Sequence, residues 1–157
     1  MDEAAVQQAD IRAGIDSALE LLKGQIDECV TVVKDYGEVP EITCYPGELN
    51  QVFLALVTNA FEAIEGSGAI HIDVRADDST ITVRITDTGR GIPKEQLDKL
   101  FDFAFSSSQS RVKLRTSLVT AHKIIQEHRG EILVQSEIGK GSTFTVRLPI
   151  DTRLTED

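Results

Sequence analysis

The sequence predicts a two-layer α/β sandwich, in which one mixed, mostly antiparallel sheet carries helices on a single face. Two observations support that expectation. Strand-like alternation comes in paired blocks: Ile70, Ile72 and Val74 with Ile81, Val83 and Ile85, then Glu131 to Ile138 with Ser142 to Leu148. Helical periodicity is interleaved with them, most clearly in Leu49, Val52, Phe53, Leu56, Val57, Ala60 and Ile64. Helices alternating with hairpins fit one sheet covered on one side. A chain of 157 residues is about the size of one domain and can bury a sizeable core. The expected domain is the whole of 1–157, with 1–10 a disordered or linker start and 151–157 a tail.

Each element has its own signal. Ile11, Ile15, Ala18, Leu19, Leu22 and Ile26 recur at helical spacing, and Asp10 is placed to cap that helix. Beyond Gln25 the β-favouring Cys29, Thr31, Val32 and Val33 predict a strand, which Gly37 and Pro40 interrupt. A short extended piece at Ile42 to Tyr45 leads to Pro46-Gly47, a helix start with Pro near the first turn. Gly66-Ser67-Gly68 ends the long helix, and Ala76-Asp77-Asp78-Ser79 turns the first hairpin. A short helix is expected at about Lys94 to Phe101, and a longer one ends near His128. The last hairpin crosses at Gly139-Lys140-Gly141.

Composition removes several function classes. Sixteen basic against 26 acidic residues give a net charge of −10, which disfavours a phosphate-backbone binder or a membrane-surface binder. Aromatic residues are 5% and Trp is absent, so there is no stacking platform for single-stranded nucleic acid. No apolar run approaches the ~20 residues needed to span a bilayer, and the acidic start MDEAAVQQAD has no secretory h-region. Cys29 and Cys44 have neither metal-ligand spacing nor disulfide density and read as reduced, buried thiols. The expectation is an acidic, soluble, cytoplasmic domain.

Two patterns carry chemistry. Asp87-Thr88-Gly89-Arg90-Gly91 closes a buried strand, which fixes a carboxylate at a sheet edge beside glycines that admit a flat ligand. Such a carboxylate accepts a hydrogen bond from an exocyclic amine, although the same string also serves as an ordinary turn. Asn59 lies at the border of an apolar helical stripe. It is either a surface or tethering residue, or a hard oxygen donor for Mg²⁺.

Together these pieces resemble the nucleotide-binding domain of sensor histidine kinases, within the superfamily shared with gyrase B, Hsp90 and MutL. ELNQVFLALVTNAFEAI (Glu48 to Ile64) is similar to the family's N box, and DTGRGIP (Asp87 to Pro93) to its first glycine box. LDKLFDFAF (Leu97 to Phe105) is similar to the F box, and HRGEILVQSEIGKGSTFTVRLP (His128 to Pro149) to the closing hairpin. The resemblance runs from about Ile11 to Ile150. It implies a Bergerat-type fold, ATP or ADP with Mg²⁺ as cofactors, and a nucleotide site built from Asp87, Gly89, Gly91, Asn59 and Thr143. Asp87 would hold adenine and Asn59 would hold Mg²⁺. The implied partners are a response regulator or a kinase dimerisation and phosphoacceptor segment, and the isolated domain is expected to be monomeric.

The departures fall in one stretch. The second glycine box of active members lands on Arg115 and Ser117, with Leu118 retained. Earlier lid glycines land on Arg111 and Lys113, the frequent lid lysine on Ser108, and a usually polar N-box position on Ala55. Glycine is used in such boxes so that backbone N–H groups can wrap phosphate. Arg111, Lys113, Arg115 and Ser117 are then either side-chain phosphate contacts or a solvated basic face. Without the glycines the segment gains helix propensity, so the last helix is expected to start near Arg111 with Ser110 as its cap. Strand-like alternation of Val112 and Leu114 is the competing reading. His71, His122 and His128 are expected to be structural, because none lies on a two-helix hairpin with a following acid. Two functions stand: transfer of the ATP γ-phosphate to a histidine on another segment with impaired phosphate handling, or a degenerate, non-catalytic docking or regulatory module in two-component signalling. A gyrase-like or Hsp90-like hydrolase is disfavoured, since the catalytic Glu of those enzymes falls on Ala55.

Overall fold

The structure is a computed structural model that describes residues 6–24, 29–97 and 112–150, with the side chains of 112–117 left aside. In chain order the elements are β1 (Gln7–Ala9), α1 (Ile11–Leu22), β2 (Val30–Tyr36), β3 (Ile42–Cys44), α2 (Pro46–Ala63), β4 (Gly68–Ala76), β5 (Thr80–Asp87), α3 (Lys94–Leu97), α4 (Val112–Glu127), β6 (Glu131–Glu137) and β7 (Gly141–Pro149). Five strands form one sheet in the order β2-β4-β5-β7-β6. The β2–β4 pair is parallel, while β4–β5, β5–β7 and β6–β7 are antiparallel. A parallel neighbour requires a crossover, and β3 with α2 supplies it.

Period 2 decides which face of the sheet is dry. Ile72 pairs with Ile85, Val83 with Val146 and Ile85 with Phe144, and all of these are fully buried beneath the helices. The other face carries Thr82, Arg84, Thr86 and Arg147 in their registers. α2 lies between the sheet, α1 and α4, touching β5 and β7 as well as both helices. Its Leu49, Val52, Phe53, Leu56, Val57 and Ala60 are buried, as the 3.6-residue stripe predicts. Burying one such side chain contributes about 1.5–3 kcal/mol before entropy is counted.

Three expectations need correction. The stretch 1–10 was expected to be an unstructured start, yet Gln7–Ala9 pairs antiparallel with Ile42–Cys44. The Gln8 amide donates to Thr43 Oγ1 at 2.6 Å, so the free edge of β3 finds main-chain partners 35 residues away in sequence. Asp10 does cap α1, its Oδ1 accepting from the Arg12 N–H at 2.9 Å, but that helix ends at Leu22 instead of reaching Ile26. Cys44 is buried as expected, whereas Cys29 is exposed. Residues 1–5 and 151–157, Ser108, Ser110, Arg111, Ile26 and the F-box stretch beyond Leu97 lie outside the described residues.

His128 fastens the end of α4 to the start of α2. The Tyr45 N–H donates to His128 Nε2 at 3.1 Å, which places the ring proton on Nδ1, and Nδ1 donates to Ile124 O at 2.9 Å. The ring is fully buried and meets Tyr45 edge-on at 5.7 Å. Arg129 follows at φ +65, where a helix end ordinarily carries glycine.

Candidate functional site

β5 delivers Asp87 to the dry face because its alternation continues unbroken from Ile81, Val83 and Ile85. The carboxylate is 2% exposed. Oδ1 accepts from the Gly89 N–H at 2.8 Å, and Oδ2 is buried with no hydrogen-bond partner among the described residues. Burial pushes this carboxyl above its ordinary value, and the Gly89 and Ser142 amides and the Arg90 charge pull it back in part. A buried carboxylate oxygen left unpaired is costly. This one is therefore suited to accept from an incoming N–H donor.

The loop after Asp87 is held from three sides. The Thr88 N–H donates to Ala69 O at 3.1 Å and the Ala69 N–H donates to Thr88 Oγ1 at 3.0 Å. The Arg90 N–H donates to Ala63 O at 3.0 Å and the Ile92 N–H to Ser136 Oγ at 2.7 Å. Gly89 lies so close to the end of α2 that a Cβ would stand 2.5 Å from Ala63 O. Gly91 adopts φ +80, and a Cβ there would strike the Glu137 carbonyl. Both positions demand glycine on local grounds.

Asn59 is half-buried on α2 and makes no side-chain hydrogen bond among the described residues. It lies one turn before Ala63, whose Cβ faces the Gly89 backbone, so both residues project toward the same loop. Among the described residues the Asn59 amide oxygen and Asp87 Oδ2 have no hydrogen-bond partner, a donor set that fits Mg²⁺ and a base amine respectively. Ala55, one further turn back, is also half-buried.

Thr143 is not brought to this site. It pairs with Thr86 on the opposite face of the sheet, Oγ1 to Oγ1 at 3.1 Å. The residue opposite Asp87 is Ser142, 5% exposed, with its hydroxyl 2.7 Å from Ser136 Oγ. Strand alternation back from Phe144, Val146 and Leu148 assigns Ser142 to the dry face, so the signal was present in the sequence.

At the positions of the missing glycine box the backbone is helical. α4 begins at Val112 and includes Lys113, Arg115 and Ser117, so the early-starting helix holds and the strand-like alternation does not. Cys44 beneath α2 is a poor nucleophile, its thiol pushed up to about 11 by burial. Asp35, His71 and Asp73 cluster on the outer face of the sheet. There Arg75 already pairs with both carboxylates, at 3.0 and 3.1 Å.

The profile described as "Histidine kinase-, DNA gyrase B-, and HSP90-like ATPase" matches residues 45–152. The chain belongs to this ATPase family. Sensor histidine kinase ZraS of Escherichia coli (strain K12) is 33% identical over 149 residues, covering 94% of this chain and 32% of that protein. Sporulation kinase E of Bacillus subtilis (strain 168) is 34% identical over 114 residues, covering 72% of this chain and 15% of the kinase. The chain therefore spans a third or less of these relatives' length. The catalytic domain of histidine kinase ThkA superposes with a TM-score of 0.83 at 21% identity, covering 94% of this chain and 97% of that one. Full-length ShkA in complex with AMPPNP superposes at 0.82 and 21% identity, covering 94% of this chain and 32% of ShkA. These structures establish the fold of the ATPase-family domain. Among its described residues no helix is long and apolar enough to cross a membrane.

Proposed function

We propose that this ATPase-family domain binds ATP and Mg²⁺ as the catalytic domain of a two-component sensor histidine kinase, and presents the γ-phosphoryl group to a histidine on a separate segment. The observation that carries the reading is Asp87 Oδ2, a buried carboxylate oxygen with no partner among the described residues, at the mouth of a glycine loop. Asp87 accepts from the adenine amine, and Gly89 and Gly91 let the ring approach the backbone. Asn59 offers the metal an oxygen, and Mg²⁺ when bound neutralises charge on the phosphates. The attacking nucleophile in this reading is the histidine of the other segment, so the domain contributes position and charge. A dimerisation and phosphoacceptor segment and a response regulator are the partners this chemistry requires, in the cytoplasm, with the isolated domain a monomer.

Phosphate handling is weakened in this reading, because a helix that carries Lys113, Arg115 and Ser117 stands where a glycine cradle is expected. The same observation favours a second reading, a domain that keeps the fold and docks a signalling partner without turnover. Calorimetric titration with ADP and a non-hydrolysable ATP analogue, with and without Mg²⁺, separates the two. Micromolar, Mg²⁺-dependent binding supports the kinase reading, and no binding at millimolar nucleotide rejects it in favour of docking.

A further inference from the structure

We propose that Arg90 is a positioning residue for nucleotide binding, a clasp that holds the C-terminal end of the Asn59 helix against the Asp87 loop. The proposal rests on the nucleotide reading above. A helix leaves its last carbonyls without partners inside the helix. α2 has no basic residue in its last turn, and its C-cap, Ile64, is extended rather than left-handed. The Ile64 N–H meets the Phe61 carbonyl, and further caps come from elsewhere in the chain. Arg90 provides two of them: its N–H donates to Ala63 O at 3.0 Å and its Nη1 donates to Glu62 O at 3.1 Å. A guanidinium at this end also meets the negative pole of the helix dipole. Glu65 Oε2 steadies the head at 3.8 Å. On its other side, Arg90 O accepts from the Gly139 N–H at 2.9 Å, which ties the clasp to the β6–β7 turn.

One residue thus joins the end of α2, the Asp87 loop and the last hairpin. Its side chain is turned to Glu62 and Glu65, and Asp87 is the group set to receive the base. Arg90 acts instead on a separation. Asn59 lies three residues before Glu62 and four before Ala63, so a loosened last turn moves Asn59 relative to Asp87. A ligand that bridges from base to metal senses that separation, and a ligand that engages Asp87 alone does not.

This difference sets the test. Wild type, Arg90→Met and Arg90→Lys are titrated with adenosine and with ADP plus Mg²⁺. Amide exchange is followed in the unliganded proteins at Ile64 and at residue 90, whose N–H groups bond Phe61 O and Ala63 O. Loss of a charged cap is expected to weaken Mg²⁺-ADP binding by Arg90→Met about tenfold. Adenosine affinity should stay within about twofold, exchange at both amides should quicken, and Arg90→Lys should regain most of the loss because it restores the charge and one donor. Equal Mg²⁺-ADP affinity in wild type and Arg90→Met overturns the proposal. So does an equal loss for both ligands, or a lysine no better than methionine. Should Arg90→Met not fold, Arg90→Gln takes its place under the same criteria. A wild type that binds neither ligand brings down the nucleotide reading and this proposal with it, whereas binding by wild type leaves the clasp alone on trial.

Discussion

The Asp87 loop and α4 belong to the same domain, yet different forces fix their backbones. In the loop, Gly89 and Gly91 are held by close approaches to Ala63 and Glu137 that no side chain could survive. Main-chain hydrogen bonds from Thr88, Arg90 and Ile92 lock the rest. At Val112–Glu127 the backbone is a regular helix without glycine, held by the packing of Leu118, Ala121 and Ile125 on the core. A site conformation imposed from outside is retained only while its glycines remain. A helix held by an apolar stripe accepts any good helix former at the positions off that stripe.

The sharpest way to break this contrast is Asp87→Asn. It should reduce adenine-nucleotide affinity by about a hundredfold or more, through loss of a buried charged acceptor. The fold should stay intact, since the carboxylate is already disfavoured by burial. Calorimetry and a thermal melt read both, and unchanged affinity refutes the pocket. Gly91→Ala tests the imposed backbone: with φ +80 and the Glu137 carbonyl in the way, it should destabilise the domain by about 2 kcal/mol or more in denaturant unfolding. A wild-type midpoint would mean the loop is not moulded.

The contrast sharpens if glycine is put back. Arg115→Gly with Ser117→Gly should cost α4 roughly 0.5–1 kcal/mol per residue and raise affinity for a Mg²⁺-bound ATP analogue by about tenfold through recovered backbone N–H donors. A double variant that only loses stability would show that the cradle needs more than these two glycines. The smallest effect is one of pH. Because burial raises the Asp87 carboxyl, the protein should lose ADP affinity as pH falls from neutral into the acid range, before ordinary carboxylates titrate. The stability term has the opposite sign: a folded value above the unfolded one stabilises the fold below the unfolded value, and that gain is lost as pH rises through the folded value. Asp87 is therefore not a group that drives acid unfolding. ADP affinity that is flat across the acid range would contradict the buried, base-accepting carboxylate.

What the sequence makes legible is whatever one element decides by itself. The α2 stripe, the first hairpin and the placement of Asp87 at a strand end all follow from local period. Thr143 was misplaced by a single residue because a one-step shift in a strand exchanges its faces, and the apolar run from Phe144 to Leu148 holds the information that places Ser142 there instead. β1 was invisible for a different reason. Gln7–Ala9 has no β-propensity of its own and becomes a strand only because Ile42–Cys44 offers an edge. The Arg90 caps are equally non-local, joining positions 28 residues apart.

The His128 contact also determines how α4 can move. Its 16 residues make a rod of about 24 Å, and buried Leu118, Ala121 and Ile125 key it into the core together with the imidazole that Tyr45 holds. A tilt of about 10° at His128 would carry Val112 through about 4 Å, given the rise per residue of a helix, so α4 can swing only by repacking the side chains that key it.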